Sequence, residues 1–372
     1  MRKILANIIN FVFSFTKIKD NKIVFESGRD KIEGNPYAIY SYIKENCPND
    51  FLMYWLISKE TNFSMIDKKE CAFYRTFTYL YHLSTAKYII RSQSTGSILK
   101  KRSGQIYIQT WHGALNLKKC GYDITDDKNR EPMEHVKDWD YFIASDRYCA
   151  KAIRTSTGYQ KPIISLGQAR TDELVNFDSS RVKEIKEKLR IDTTKNKTIV
   201  LYAPTFRERN IDDQQFELPI ETLKNNDQIL LLIRLHPLVS KFMDEHRLGD
   251  NMINVSGYPE ILDLLLISDV LVTDYSSSIF DYVLLKRPII FYAYDFEQYM
   301  AERNGFYIDY KTDLPGPIAY NENELNDLVK NVDNIINDYS EKLNKFNEKY
   351  NYLNDGNVCE RFVYELKNGT FR

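Results

Sequence analysis

At 372 residues the chain is long for one core and comfortable for two domains. Hydrophobic residues at 43% and charged residues at 28% exclude a disordered chain, and a formal net charge of -1 argues against a general nucleic-acid binder. The cysteines (Cys47, Cys71, Cys120, Cys149 and Cys359) lie far apart and form no metal-ligand pair. Their odd number, with no secretory cleavage pattern, favours a reducing cytoplasmic setting.

No run reaches the roughly 18 apolar residues needed to span a bilayer. The first segment, Ile4 to Phe15, is mostly apolar and flanked by Arg2, Lys3, Lys17 and Lys19. It suits an interfacial helix on an anionic leaflet, or a first helix docked on the core. Alternation then predicts strands over 22–26 and 51–57 with a helix over 35–46 between them. A further strand over 72–74, a short aromatic helix over 77–83, and strands over 88–90, 106–109, 141–144 and 163–166 follow, with a helix near 148–155. The polar stretch 176–197 is helix-prone and is expected to cover a domain junction.

The second half repeats the scheme. Strands are expected over 198–202, 229–234, 269–272 and 288–292, helices over 259–267 and 277–285, and a polar helical tail over 322–352. Strands alternating with helices imply parallel sheets covered on both faces. The expected fold is therefore α/β, with two Rossmann-like domains facing a central cleft. Their expected limits are a basic amphipathic segment over 1–21, an amino-terminal Rossmann-like domain over 22–175 and a carboxyl-terminal Rossmann-like domain with a helical tail over 176–372.

From Cys71 to Tyr122 there is not one Asp or Glu, while Arg75, Lys87, Arg91, Lys100, Lys101, Arg102, Lys118 and Lys119 fall there. Such a region attracts polyanions, either phosphorylated substrates or an anionic membrane, or is a solvated basic surface. Within it, Gln109-Thr110-Trp111-His112-Gly113 ends a strand. Gly113 allows a sharp bend, and His112 is placed to accept a proton from an attacking hydroxyl near neutral pH. His82, His135 and His246 read as structural.

Arg234-Leu235-His236-Pro237 follows an apolar strand, and alternation puts Arg234 and His236 on one face. A guanidinium beside an imidazole suits phosphate, and neighbouring positive charge favours a neutral, hydrogen-bond-donating His236. Ala203-Pro204-Thr205-Phe206-Arg207 and Gly167-Gln168-Ala169-Arg170 each offer a hydroxyl or amide plus an arginine after a strand. Thr273-Asp274-Tyr275-Ser276-Ser277-Ser278 opens a helix after a buried strand. Its serines read either as phosphate-binding donors or as a helix cap. No metal-ligand spacing is present.

Together these motifs resemble the CDP-glycerol glycerophosphotransferase family of teichoic acid and capsule polymerases and primases. The likeness also draws on Asn35-Pro36-Tyr37-Ala38-Ile39-Tyr40, Phe280-Asp281-Tyr282, Lys286-Arg287-Pro288 and Leu314-Pro315-Gly316-Pro317. It implies a GT-B architecture, attachment to the cytoplasmic membrane face and no metal or other cofactor. It also implies transfer of glycerol or ribitol phosphate from a CDP-activated donor to a lipid-linked acceptor, releasing CMP. By that resemblance His112 is the general base and His236 assists as charge builds. Donor contacts are expected from Trp111, Gly113, Arg170, Pro204, Thr205, Arg207, Arg234, Asp274, Ser276, Ser277 and Asp281. Ala169 departs from the pattern, standing where the family usually has proline. A nucleotide-sugar glycosyltransferase on the same fold, or a non-catalytic membrane-associated assembly protein, are the alternatives.

Overall fold

The computed structural model describes residues 2–28, 30–93, 99–124, 134–195, 197–207, 220–224, 226–241, 243, 248–302 and 305–372. In chain order the first half holds α1 (Arg2–Ser14), β1 (Lys19–Glu26), α2 (Gly34–Asn46), β2 (Leu52–Ile57), β3 (Cys71–Phe73), α3 (Phe77–Thr85), β4 (Ala86–Arg91) and β5 (Ile106–Gln109). Then come β6 (Tyr141–Ala144), α4 (Arg147–Thr157), β7 (Ile163–Ser165), α5 (Asp172–Val175) and α6 (Ser179–Lys188). The second half begins with β8 (Thr198–Tyr202), β9 (Ile229–Ile233), α7 (Pro237–Ser240), β10 (Met252–Asn254), α8 (Ile261–Ile267), β11 (Val270–Thr273) and α9 (Ser278–Tyr282). It closes with β12 (Ile289–Tyr292), α10 (Phe296–Glu302), β13 (Ile318–Ala319), α11 (Glu322–Lys330), α12 (Val332–Tyr350) and α13 (Val358–Lys367).

These elements form two compact units. The first comprises Met1–Ala114, Arg130–Glu173 and Leu353–Arg372. Its sheet has seven parallel strands in the order β3-β2-β1-β4-β5-β6-β7. Apolar side chains leave both faces: Ile23 and Phe25 enter a core with Trp55, Ile90 and Ile108, while Val24 enters another with Leu56, Ile89 and Phe13. Burial on both faces is why these strands read as near-continuous apolar runs.

The second unit comprises Leu115–Asn129 and Leu174–Tyr352. Six parallel strands run β10-β9-β8-β11-β12-β13 around a core that includes Val200, Leu231, Ile233, Val272 and Ile290. In each sheet the strand order reverses once, between β1 and β4 and between β8 and β11. At such reversals open α/β sheets leave room for ligands beyond the carboxyl ends of their strands.

The limits of the units differ from the expected 22–175 and 176–372. Helix α13 returns to the first unit, where Phe362, Val363 and Leu366 join the core of Ile39 and Ile43. The Asp172 carboxylate receives the backbone N–H groups of Val358 at 3.0 Å and Cys359 at 2.7 Å, satisfying the start of that helix. Gly167, at φ +97, lets the chain pass closely, since a Cβ there would lie 2.7 Å from Asn354 Oδ1. Conversely, 115–129 joins the second unit, where Leu117 O accepts from Tyr307 N at 2.8 Å. A local pattern cannot show a chain that returns to an earlier core. The stretch expected at a junction forms α6, which belongs to the second unit and binds α8 through Arg181 and Asp263, 2.6 Å apart.

Helix α1 docks on the first unit through one side. Phe13 is buried beside Leu83 and the Phe77 ring, whereas Ile8, Phe11, Val12 and Phe15 stay exposed. Among the described residues no helix is long and apolar enough to cross a membrane.

Candidate active site

Two polar clusters lie beyond strand ends, one in each unit. In the first unit, β5 runs into Thr110-Trp111-His112-Gly113. The expected bend at Gly113 falls instead on Trp111, which takes a left-handed φ of 55. That conformation costs a non-glycine residue roughly 1–3 kcal/mol and needs external support. Asn35, on α2 and almost fully buried, supplies it: Nδ2 donates to Thr110 O at 2.8 Å and Trp111 O at 3.1 Å. Gln109 Oε1 accepts from Trp111 N at 3.0 Å. Asn35 Oδ1 also accepts the Arg170 N–H at 3.1 Å, so one amide ties the His112 turn to the Arg170 turn.

The Trp111 ring stacks on His112 with centroids 4.8 Å apart. His112 Nδ1 lies 3.4 Å from Ser92 O. A carbonyl oxygen can only accept, so the contact places the proton on Nδ1 and leaves Nε2 with its lone pair, as a general base requires. The side chain keeps a solvent-exposed surface while protein crowds its other sides. That crowding, chiefly, pushes the His112 pKa below its ordinary value; the Ser92 contact opposes it and the Arg170 charge reinforces it. Arg170 itself is buried and donates from Nε to Gln168 Oε1 at 3.1 Å.

In the second unit the turns after β8, β9 and β11 carry the remaining predicted residues. Arg207 and Asp274 are both buried and bound to each other, Nη2 to Oδ2 at 2.8 Å. Arg207 Nε also meets Asp295 at 2.8 Å, and its guanidinium lies 4.9 Å from the centroids of both Tyr275 and Tyr299. Asp274 Oδ1 accepts from the backbone N–H of Thr205 at 2.8 Å and of Tyr275 at 2.5 Å. These two residues therefore brace the turns rather than extend toward a ligand. Spacing offered no hint of Asp295, Tyr299 or Tyr310, whose hydroxyl donates to Asp274 O at 3.1 Å.

Pro204 and Thr205 are half-buried, and Thr205 Oγ1 has no hydrogen-bond partner among the described residues. Arg234 donates to Tyr258 O at 2.6 Å. His236 is exposed, leans on Phe206 with centroids 4.5 Å apart, and accepts the Leu238 N–H on Nδ1 at 3.3 Å. That acceptance places the ring proton of the neutral imidazole on Nε2. After β11, Ser277 occupies the N-cap position of α9 without a capping bond from its side chain. Ser276 Oγ accepts from Ser278 N at 3.3 Å. The hydroxyls of Ser276 and Ser277 thus remain half-exposed beyond the strand, and Asp281 is buried one turn later.

With basic, imidazole and hydroxyl groups beyond the strand ends of each parallel sheet, the chain is a two-unit Rossmann-like α/β protein. The chain belongs to the CDP-Glycerol:Poly(glycerophosphate) glycerophosphotransferase family, whose profile matches residues 8–367. It is 34% identical to the teichoic acid glycerol-phosphate transferase of Staphylococcus aureus, over 98% of each chain. It is 31% identical to the teichoic acid poly(glycerol phosphate) polymerase of Bacillus spizizenii, over 98% of this chain and 97% of that one. Among solved structures, a variant of the wall teichoic acid polymerase TagF soaked with CDPG superposes with a TM-score of 0.86 at 29% identity, covering 98% of this chain and 93% of that one.

Proposed function

We propose that this protein transfers glycerol phosphate from CDP-glycerol to a hydroxyl of a lipid-linked acceptor, releasing CMP, without a metal ion. The observation that carries the reading is the contact of His112 Nδ1 with Ser92 O at 3.4 Å, which favours the tautomer that leaves Nε2 as the base. The acceptor oxygen attacks the phosphorus next to the glycerol and its proton passes to His112 Nε2. The bond from that phosphorus to the CMP oxygen breaks, and negative charge grows on CMP. In the second unit, the Nε2–H of His236 and the guanidinium of Arg234 stabilise that charge, as fixed donors do for developing anions. Thr205, Ser276 and Ser277 contribute hydroxyls to the donor, and Asp281 takes polyol hydroxyls. Trp111, Gly113 and Arg170 of the first unit and Pro204 of the second each add donor contacts, while Arg207 and Asp274 position the turns of the second unit.

The glycerol donor is supported by the glycerol-phosphate transferase relative at 34% identity over 98% of each chain. Peripheral attachment to the anionic cytoplasmic leaflet is supported by the exposed apolar face of α1, where Phe11 is 66% and Phe15 75% accessible. The test is CMP release with CDP-glycerol, CDP-ribitol and UDP-sugars in parallel. CDP-glycerol should be turned over, and His112→Ala should lose about 10²–10⁴-fold while still folding. Release of UDP instead, or near-normal turnover by the variant, would overturn the assignment.

A further inference from the structure

The first unit holds a hollow beside β4, lined by Ile89 and Arg91 of that strand and by Asn10 and Phe13 of α1. The hollow is a cavity of about 710 Å³. That is within the size of ligand pockets, roughly 300–1,000 Å³. Its floor is apolar, made by Phe13, Leu83, Ile89 and Leu99. The rest of its wall is cationic. Arg91, Lys100, Lys101, Arg102, Lys137 and Lys161 line it against a single lining carboxylate, Asp138. Glu26 offsets Arg91, and Asp140 is shared by Lys101 and Lys161. The Arg102 guanidinium, by contrast, meets oxygens without formal charge: the Ser14 and Thr16 carbonyls at 2.8 Å, and Ser84 O and Thr16 Oγ1 at the same distance. A positive balance therefore remains, with Lys100 and Lys137 exposed at the mouth.

Helix α1 joins this cavity to the surface. Asn10 and Phe13 turn toward the cavity, and Asn10 Oδ1 accepts from Lys100 N at 2.8 Å. Ile8, Phe11 and Val12 occupy the opposite face of the same helix and, with Phe15 just beyond its end, are exposed. An apolar floor under a cationic rim, beside an unburied apolar helix face, is complementary to one kind of ligand.

We propose that this cavity binds a single phosphate-headed lipid, the chain on the apolar floor and the phosphate among the rim cations. It goes beyond the transfer reading, because neither His112 nor any of the second unit's turns takes part. Two sources share that chemistry, a membrane glycerophospholipid and an isoprenoid phosphate.

The test is calorimetric titration of the full chain with dihexanoyl phosphatidic acid and with farnesyl diphosphate, both below micelle formation. Dihexanoyl phosphatidylcholine and inorganic phosphate serve as comparisons. One-to-one saturable binding is expected for at least one anionic lipid, at least tenfold tighter than for either comparison, and the tighter of the two identifies the source. The double variant Lys100→Glu, Lys137→Glu should bind that lipid about thirtyfold more weakly, taking about 1 kcal/mol per surface cation. Lys59→Glu with Lys68→Glu, exposed elsewhere in the same unit, should bind as the unmodified protein does. Inorganic phosphate binding as tightly as both lipids, absence of saturation, or unchanged binding by the rim variant would each overturn the proposal.

Discussion

Asn35→Ala is the most informative single substitution in the first unit. The amide makes three hydrogen bonds from a site only 3% accessible: to Thr110 O, to Trp111 O and from Arg170 N. Each such bond contributes about 1 kcal/mol net, and a buried partner left unpaired costs about 1–3 kcal/mol. Some of the freed groups can reach water, so the total should be about 2–4 kcal/mol. For a domain of this size that lowers Tm by roughly 5–15 °C. The kinetic effect should exceed the structural one. With Asn35 gone, Gln109, a longer 3.4 Å bond from Thr110 Oγ1 and packing on Trp139 and Phe142 are left to oppose relaxation of the left-handed Trp111, and His112 stacks on that ring. A displacement of about 1 Å at a reacting group can cost about 100-fold in rate. Asn35→Asp separates the two functions of the amide, because a carboxylate still accepts from Arg170 N but cannot donate to the two carbonyls. Thermal unfolding and CMP release measured on both variants decide the matter. If Asn35→Ala melts within about 1 °C of the unmodified protein and turns over normally, the clamp does not do what its geometry suggests.

The pH profile offers a second prediction. Because burial, aided by Arg170, depresses the His112 pKa, the acid limb of kcat/KM should lie below the ordinary imidazole value of about 6.5. Removing a neighbouring cation favours the imidazolium, so Arg170→Gln should move that limb to higher pH, whatever it does to the maximum rate. A shift to lower pH would contradict the assignment. Gly316→Ala should severely reduce folded yield, since its Cβ would lie 2.0 Å from Ile289 O, a backbone atom fixed within the sheet; near-normal melting would show that β12 can yield. Phe11→Glu with Phe15→Glu should weaken co-sedimentation with anionic vesicles at least tenfold and leave Tm nearly unchanged, because both side chains are exposed.

How much of this was legible in the sequence depends on the distance over which each feature is encoded. Strand β5 and the turn after it were readable, because four apolar-patterned residues and the Trp111-His112-Gly113 ending are local. The assignment of Ser276 as cap or ligand was not, because a hydroxyl's partner depends on how the chain bends around it; here its Oγ accepts from Ser278 N at the start of α9, while Ser277 makes no side-chain capping bond. Arg207 was found as a cation after a strand, yet its surroundings come from residues 67 and 88 positions further along, Asp274 and Asp295. No spacing rule reaches that far. The same arginine therefore looks like a phosphate ligand in sequence and like a brace in space. His236 is the opposite case: the acceptor of its bond, Nδ1, and the donor, Leu238 N, are two residues apart, so its outward-donating tautomer follows from a short turn opened by Pro237. Local chemistry thus identified the groups that present themselves outward. The supports behind them, Asn35, Asp295 and Tyr310, emerge only when strands distant in sequence lie side by side.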